Sequence, residues 1–317
     1  MKYDIKTDGC TQGLLAQWLQ CRQKARWFMT GYSVTSASMA LTYGSIGHAV
    51  LELVYKDLHT KVLKESPSEA QVRNYVAKVE TEWRKENVKA DKKALEYLEL
   101  SLMIAESTLP SYFKYWTKDL KEMKWHAVEH DFAVPYTTKD GRKTIIRGKM
   151  DGVFNNPKLW LFENKFKSQI DEADLVEVLP FEFQVQMYLW ALRQKTGKVP
   201  EGVLYNIIRR TCLRQKVDEG ITQFAKRISE DIKARPEFYF LRLEVSISEK
   251  ELDQFSIELE DMITDFMNWW EGKSGHYKNT HMCLDKFGRC NYLPLCSSKN
   301  FALYEKRDKM YRELDDY

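Results

Sequence analysis

The sequence predicts an α/β fold: a central mixed sheet flanked by helices, with a helical insertion at about 65–122. Two observations predict this class. Apolar residues recur at helical spacing over the first 122 residues, and short segments rich in Val, Ile and aromatic residues follow. Helices come first, then a strand meander, a helix–strand unit and further helices, and this order indicates an α/β core with a helical insertion or cap. We therefore predict a single domain over 1–317.

The elements before and after the strands are expected to be helical. Apolar spacing predicts helices over 11–30, with Cys21 in the middle, and from about 40 to 63. The insertion at 65–122 is expected to add two or three more helices. Further helices are predicted at about 181–196 and 248–272. The last segment, 281–317, holds three cysteines and is expected to end in a charged amphipathic helix.

The middle of the chain is predicted to form strands. Lys139-Asp140-Gly141 is a hairpin turn signal between the first two of them. The predicted strands are Trp125–Val134, Thr144–Phe154, Lys158–Lys167, Gly202–Arg210 and Phe238–Ser246.

Composition limits the possible environments. The net charge is only +3 and the hydrophobic fraction is 44%, so any nucleic-acid surface must be a local basic patch. No stretch resembles a signal peptide, and no apolar run approaches the roughly 18 residues that span a bilayer. We expect a cytoplasmic protein, of bacteria or of a phage-infected host, without a membrane partner. Six cysteines in that compartment indicate metal binding before disulfides.

Two predicted strands bring carboxylates and a lysine together. Residues two apart in a strand share a face, so Glu163 and Lys165 point the same way. If the preceding strand pairs with this one, Asp151 comes close to Glu163. Neighbouring carboxylates repel unless a cation lies between them, and Mg²⁺ prefers oxygen ligands. A lysine beside that ion suits phosphodiester hydrolysis, although a lone Glu-x-Lys is also common on a solvated strand face.

These residues resemble the PD-(D/E)xK nuclease signature. Residues 148–151 read GKMD and 163–165 read ENK, with Met150 where the family has proline. The RecB-like branch adds two marks in the same order. Its Gly-x-x-x-His matches GSIGH at 44–48, and its Gln-x-x-x-Tyr matches QVQMY at 184–188.

The resemblance implies a restriction-endonuclease-like core that binds Mg²⁺ or Mn²⁺. The implied metal ligands are His48, Asp151, Glu163 and the backbone carbonyl of Asn164. The implied catalytic set is Asp151, Glu163, Lys165, Gln184 and Tyr188. Lys165 would orient the attacking water and stabilise the transition state, while Gln184 and Tyr188 would position the phosphate or the lysine. Glu129, in a strand leading toward the site, is interpreted as a supporting residue.

The cysteines form a second pattern. Cys21, Cys283, Cys290 and Cys296 resemble the four ligands of a 4Fe–4S cluster in RecB-like exonucleases of the AddB type and of CRISPR adaptation. The late trio departs from that pattern, because Cys283 and Cys290 are further apart than a Cys-x-x-Cys pair. Zinc and the absence of any metal stay open, with His281 and Cys10 as spare ligands. Cys212 is expected to be a small core residue.

The implied function is a DNA exonuclease in recombination, repair or processing, similar to stand-alone nucleases of phage. Lys167, Arg209 and Arg210 are the predicted phosphate contacts, and the aromatic residues suit single-stranded ends. No helicase P-loop is found, so we expect action from free ends or with a recombination or helicase partner. Two alternatives stay open: a structure-specific or restriction-type endonuclease, and a non-catalytic DNA-binding subunit.

Overall fold

The computed structural model describes residues 3–34, 38–285, 288–312 and 314. The α-helices are Gln12–Gln20 (α1), Arg22–Met29 (α2), Met39–His59 (α3), Glu69–Glu86 (α4), Lys92–Tyr115 (α5), Asp119–Glu122 (α6), Glu172–Val178 (α7), Phe183–Thr196 (α8), Ile221–Ala234 (α9), Pro236–Tyr239 (α10), Glu249–Trp270 (α11) and Leu293–Ser298 (α12). The strands are Cys10–Thr11 (β1), Tyr32–Val34 (β2), Lys124–Thr137 (β3), Lys143–Asn156 (β4), Lys158–Lys167 (β5), Gly202–Arg209 (β6), Phe240–Ser246 (β7), Leu284–Asp285 (β8), Gly288–Arg289 (β9) and Tyr304–Lys306 (β10).

The central sheet is mixed, which confirms the predicted fold class. Its order is β1-β4-β5-β6-β7, with β3 paired to β4. The β3–β4, β4–β5 and β6–β7 pairs are antiparallel, whereas β5–β6 and β1–β4 are parallel. The parallel β5–β6 pair needs a crossover, and α7 and α8 lie in that connection.

Two apolar clusters cover the two faces of the sheet. On one face, β5 and β6 bury Leu161 and Val203 against α8 and α11. On the other face, Phe162 and Leu204 pack with residues of α3, α4, α5 and α9. Successive strand residues point to opposite faces, so each strand contributes to both clusters. The helices at 65–122 thus bury part of one face of the sheet.

The predicted helix over 11–30 is broken at Cys21. This residue has extended backbone angles, φ −164° and ψ 115°, and separates α1 from α2. Its N–H still donates to the Gln17 carbonyl at 2.9 Å, so α1 ends in a satisfied turn. The break turns α2 away from α1 and leaves the Cys21 side chain at the junction.

The predicted helix at the end of 281–317 is wrong for the described part of that segment. Tyr304–Lys306 is a strand that pairs antiparallel with Tyr32–Val34. The next residue continues this contact, because the Arg307 N–H donates to the Gly31 carbonyl at 2.8 Å. Further along, Tyr311 is buried and its hydroxyl donates to the Gly9 carbonyl at 2.9 Å. Long-range contacts with the N-terminal segment therefore override the local helical pattern; residues 286–287, 313 and 315–317 lie outside the described chain.

Among the residues described, none of the helices combines the length and the hydropathy that a membrane span requires.

Candidate active site

The candidate site lies where β5 separates from β4. β5 pairs with residues 152–156 of β4, and β1 pairs with Ile146 and Arg147 on the same strand. Residues 148–151 lie between these two pairings, and Asp151 is the last of them. The Asn164 N–H of β5 donates to Asp151 Oδ2 at 2.7 Å and bridges the opening. The predicted approach of the two motif strands is thus present.

Three ligand-type side chains converge at this opening. His48 of α3, Glu129 of β3 and Asp151 each offer one atom, and these atoms all lie within 4.8 Å of one another. His48 Nδ1 is 3.5 Å from Asp151 Oδ1, and the His48 side chain is about one-third exposed. Val128 pairs with Gly152, and His130 with Met150, so Glu129 lies opposite Asp151.

Glu129 has an unusual backbone conformation for a glutamate. Its φ is +48°, in the left-handed region, inside a long β-strand. Residues other than glycine occupy that region at a cost, and such strain collects at functional sites. The carboxylate is nearly buried and lies 3.0 Å from Lys149 Nζ. The strained backbone and this ion pair hold Glu129 toward Asp151.

Glu163 and Lys165 share a face, as their spacing predicts. Lys165 Nζ lies 2.5 Å from Glu163 Oε1 and donates to Gln184 Oε1 at 2.9 Å. Gln184 Nε2 donates back to Glu163 Oε1 at 2.9 Å, which closes a three-residue ring. Tyr188, one turn further along α8, is largely buried beside Gln184. The four predicted residues of the strand and of α8 are therefore neighbours.

The electrostatics of the site reflect crowded carboxylates. Burial, reinforced by the Asp151 carboxylate, raises the pKa of Glu163 to about 7 and that of Glu129 to about 7. Burial alone would raise the pKa of Asp151, but His48 outweighs it and lowers that pKa. Burial lowers the pKa of His48, yet Asp151 outweighs burial and raises it. Without a cation, the cluster holds protons to balance its negative charge.

The residues present fit a divalent cation. Glu163 Oε2 is buried without a hydrogen-bond partner, while its other oxygen is held by Lys165 and Gln184. A buried carboxylate oxygen left unsatisfied is costly unless something binds it. With Glu129 and Asp151 nearby, oxygen donors dominate the set, which suits a hard ion such as Mg²⁺ or Mn²⁺. Glu163 lies outside the tight group of His48, Glu129 and Asp151, so the ligand set differs from the predicted one by the addition of Glu129.

The family profile described as the PD-(D/E)XK nuclease superfamily matches residues 15–297, most of the chain. The chain belongs to the PD-(D/E)XK nuclease superfamily. Members are hydrolytic nucleases that use divalent metals. No curated protein sequence matches the chain. One solved structure that resembles it, "Crystal structure of SSO0001", is 15% identical and covers 70% of this chain and 84% of its own, with a TM-score of 0.22.

This superfamily member carries a second cluster of chemically active side chains near its chain ends. A small cavity is lined by all four predicted cysteines, Cys21, Cys283, Cys290 and Cys296. The Trp27 indole N–H donates to Cys296 Sγ at 3.2 Å, and the Asn279 N–H to Cys21 Sγ at 3.3 Å. The spare ligands lie elsewhere: Cys10 is buried beside Tyr3 and Thr144, and neither it nor His281 lines the cavity.

Cys212 is not the core residue that the sequence predicts. Its side chain is exposed, and its thiol lies 3.6 Å from the Ser168 carbonyl. The chain leaves β6 at Arg209, so Cys212 already belongs to the following loop. A cysteine just past a strand end is exposed when the loop lies on the surface.

The predicted phosphate contacts of the nuclease differ in their accessibility. Arg209 stacks on Phe238, 4.1 Å from the ring centroid, and is largely buried, which leaves it less available to a ligand. Arg210 lines an open cavity of about 530 Å³ beyond the strand ends. Lys167 lies 5.6 Å from the Tyr205 ring centroid, and burial together with Lys165 lowers its pKa. Lys165 and Lys167 both lie over the Tyr205 ring, so Lys167 lies beside the candidate site.

Proposed function

We propose that the chain is a metal-dependent deoxyribonuclease that hydrolyses phosphodiester bonds from DNA ends. One observation carries the proposal: His48, Glu129 and Asp151 converge at the opening between β4 and β5, beside the unpartnered oxygen of Glu163. Lys165 completes the site from the neighbouring strand. This combination provides oxygen-rich metal ligands and a cation within reach of the same point, which phosphodiester hydrolysis requires.

The roles of the metal ligands follow from their positions. His48, Glu129, Asp151 and Glu163 Oε2 would hold one or two ions, with the Asn164 carbonyl as a further candidate. When bound, a divalent ion supplies Lewis acidity and lowers the pKa of water. His48 must be neutral to act as a ligand, so it loses its ion pair with Asp151 when an ion binds. The bound ion would then supply the positive charge beside the Asp151 carboxylate.

The remaining residues act on the phosphate and on the attacking water. Lys165 is held by Glu163 and Gln184, so its three donors are oriented before substrate arrives. Glu163 outweighs burial and raises the pKa of Lys165, which keeps the ammonium charged. A charged ammonium stabilises the negative charge that grows on the phosphate oxygens. Tyr188 packs on Phe132 and supports Gln184 from behind.

We propose that a single DNA strand passes from the site over an open cavity beyond the ends of β5 and β6. The cavity of about 530 Å³ is lined by polar and basic side chains, including Gln169, Arg210 and Arg214, and by apolar ones such as Met39. Met39 and His48 both belong to α3, so at the helical rise they lie about 14 Å apart. Basic side chains for phosphates beside apolar ones for bases suit unpaired DNA.

We propose that the chain belongs to the RecB-like branch and carries a 4Fe–4S cluster. Four thiols from both ends of the chain line one cavity, and two of them accept N–H hydrogen bonds. Thiolates are the usual ligands of such clusters, and hydrogen bonds to sulfur tune them. Burial and then its neighbours Cys290, Cys21 and Cys296 raise the pKa of Cys283, as expected of thiols gathered before metal neutralises them.

Zinc is the alternative for the same four thiols, because a tetrahedral zinc site also takes four thiolates, each about 2.3 Å from the ion. The matching tests are the colour and the metal content of the purified protein.

The test of the proposed function is digestion of end-labelled single- and double-stranded DNA, beside a covalently closed circle, with Mg²⁺ or Mn²⁺. An exonuclease releases label from the linear substrates and spares the circle; cutting of the circle would instead favour the endonuclease alternative. Asp151→Ala should abolish cleavage and keep most DNA binding. Cleavage by Asp151→Ala at the wild-type rate would refute the site.

The non-catalytic alternative is tested by the same assay. If neither metal yields products from any substrate with the wild-type chain, a DNA-binding subunit becomes the better interpretation. A role in recombination, repair or phage DNA processing, with a helicase partner, is the setting that we propose for an exonuclease of this kind. In that setting the enzyme would act on DNA in the cytoplasm.

A further inference from the structure

A line of buried polar side chains crosses three adjacent strands directly behind the candidate site. Asn164 of β5 pairs with Asn206 of β6, which pairs with Arg242 of β7. Asn164 is 2% exposed and Asn206 is fully buried. The preceding residues on the same face of β5 and β6, Phe162 and Leu204, are apolar and buried. Three consecutive polar residues on an apolar face are costly unless each finds a partner.

Each member of this line is hydrogen-bonded to the next. Arg242 Nε donates to Asn206 Oδ1 at 2.8 Å, and Asn206 Nδ2 donates to Asn164 Oδ1 at 2.7 Å. The far end is fixed by Asp119, which accepts two hydrogen bonds of 2.6 Å from the Arg242 guanidinium. An arginine can only donate, so Asn206 must turn its oxygen toward it and its amino group toward Asn164. Both hydrogen bonds therefore donate in the same direction, from Arg242 toward Asn164.

The line ends at a candidate metal ligand. The Asn164 N–H donates to Asp151 Oδ2 at 2.7 Å, while Asp151 Oδ1 faces His48. Holding the Asn164 side chain from behind fixes the peptide whose N–H points at Asp151. Asn164 also lies between Glu163 and Lys165 in the chain, so fixing its backbone fixes where those two side chains begin.

We propose that Asn206 is a positioning residue for the metal site, acting through Asn164 on Asp151. The proposal rests on the proposed function, because it takes Asp151 as a metal ligand. In this proposal Asn206 does not contact the ion or the substrate. Its hydrogen bonds link Asn164 to Arg242, which the Asp119 ion pair holds in place. Residues that orient metal ligands in this way typically contribute about 10–100-fold to metal affinity.

The test is direct binding of Mn²⁺ to the full chain without DNA, measured by isothermal titration calorimetry. Asn206→Leu should weaken binding about 10–100-fold. The matched control is Leu204→Ala, on the same strand and the same face, which should lower the melting temperature and leave the Mn²⁺ affinity within about twofold of wild type. If Asn206→Leu does not fold, Asn206→Ser replaces it, since its hydroxyl is too short to reach Asn164.

Three outcomes would overturn or separate the claims. Wild-type affinity in Asn206→Leu or in Asn206→Ser overturns the positioning role. Equal weakening in Leu204→Ala also overturns it, because general loosening of the sheet then explains the effect. Asp151→Ala serves as the reference: if it binds Mn²⁺ like wild type, the proposed metal site itself fails, whereas loss in Asp151→Ala alone refutes only the role of Asn206.

Discussion

The ring of Phe166 lies directly against the backbone of Gly47. A methyl group added at Gly47 would lie 2.3 Å from Phe166 Cζ, closer than any real side-chain contact. Gly47 is therefore the point where α3 packs directly on β5. The next residue on α3 is His48, so this close approach brings the imidazole within reach of Asp151.

Gly47→Ala should destabilise the protein and displace His48. Overpacking of this kind costs typically 1–3 kcal/mol, so the urea midpoint should fall and Mn²⁺ binding should weaken. Gly44→Ala is the matched control on the same helix, since its added methyl group would meet nothing within 4 Å. Alanine there should stabilise the helix by about 0.5–1 kcal/mol. Equal urea midpoints for the two variants would contradict the packing argument.

The second prediction concerns Glu129, which lies opposite Asp151. Glu129→Gln keeps the shape of the side chain and removes its charge, so Mn²⁺ affinity should fall about tenfold or more if this carboxylate is a ligand. Glu52→Gln is the control, because Glu52 lies 4.0 Å from the same Lys149 but outside the metal group. Calorimetric titration compares the two variants. Equal losses of Mn²⁺ affinity in the two variants would mean that Glu129 acts only through its ion pair with Lys149 and is not a ligand of the ion.

The β4–β5 part of the site is predictable from sequence, whereas Glu129 is harder to find. Alternation of apolar residues fixes the face of Glu163 and Lys165, and a hairpin brings Asp151 beside them. A signal for Glu129 also exists: it and Asp151 are equally far along the chain from Asp140, in the middle of the hairpin turn. Counting outward from the turn would have paired them.

Features that depend on distant contacts could not be predicted. Local spacing in the tail favours a helix, but backbone pairing of Tyr304–Lys306 with Tyr32–Val34 decides otherwise. The break between α1 and α2 at Cys21 could not be predicted from the sequence either, because apolar residues continue on both sides of it. The line from Asn164 to Arg242 requires the order of the strands, which sequence spacing does not contain.

Lys165→Met should slow the hydrolysis step and leave the binding of DNA and of Mn²⁺ nearly unchanged. The side chain keeps its length and loses the charge that stabilises the phosphate, so kcat should fall about 10²–10³-fold. The DNA affinity and the Mn²⁺ affinity should change far less. Lys167→Met, two residues along the same face, is the control and should raise KM and reduce its salt dependence. A kcat for Lys165→Met near that of Lys167→Met would show that the charge is not used in chemistry.

Stability of the metal-free protein should fall as pH rises through the range in which the site carboxyls titrate. Glu163 and Glu129 have folded pKa values of about 7, above their ordinary value of 4.5. The folded state therefore retains protons that the unfolded chain releases, so stability falls between about pH 4.5 and about pH 7. Mn²⁺ binds the deprotonated cluster, and its stabilising effect should grow over the same range.

Thermal melting with and without Mn²⁺ measures this linkage. The rise in Tm caused by Mn²⁺ should be small near about pH 5 and largest near about pH 8. Asp151→Ala provides the control, because a broken site should give no rise at either pH. A rise in Tm that is independent of pH in the wild-type chain would contradict the assignment of titrating carboxyls to the metal site.

The last prediction concerns the four-cysteine cavity. Protein purified without oxygen should be brown, and Cys290→Ala should be colourless and much less stable, because a cluster there ties Cys21 to a segment near the other end of the chain. Cys212→Ala is the matched control: this thiol is exposed and outside the cavity, so colour and melting temperature should not change. Colourless wild-type protein that contains zinc would show that the cysteines hold a zinc ion instead of a cluster. That result would not affect the proposed nuclease site.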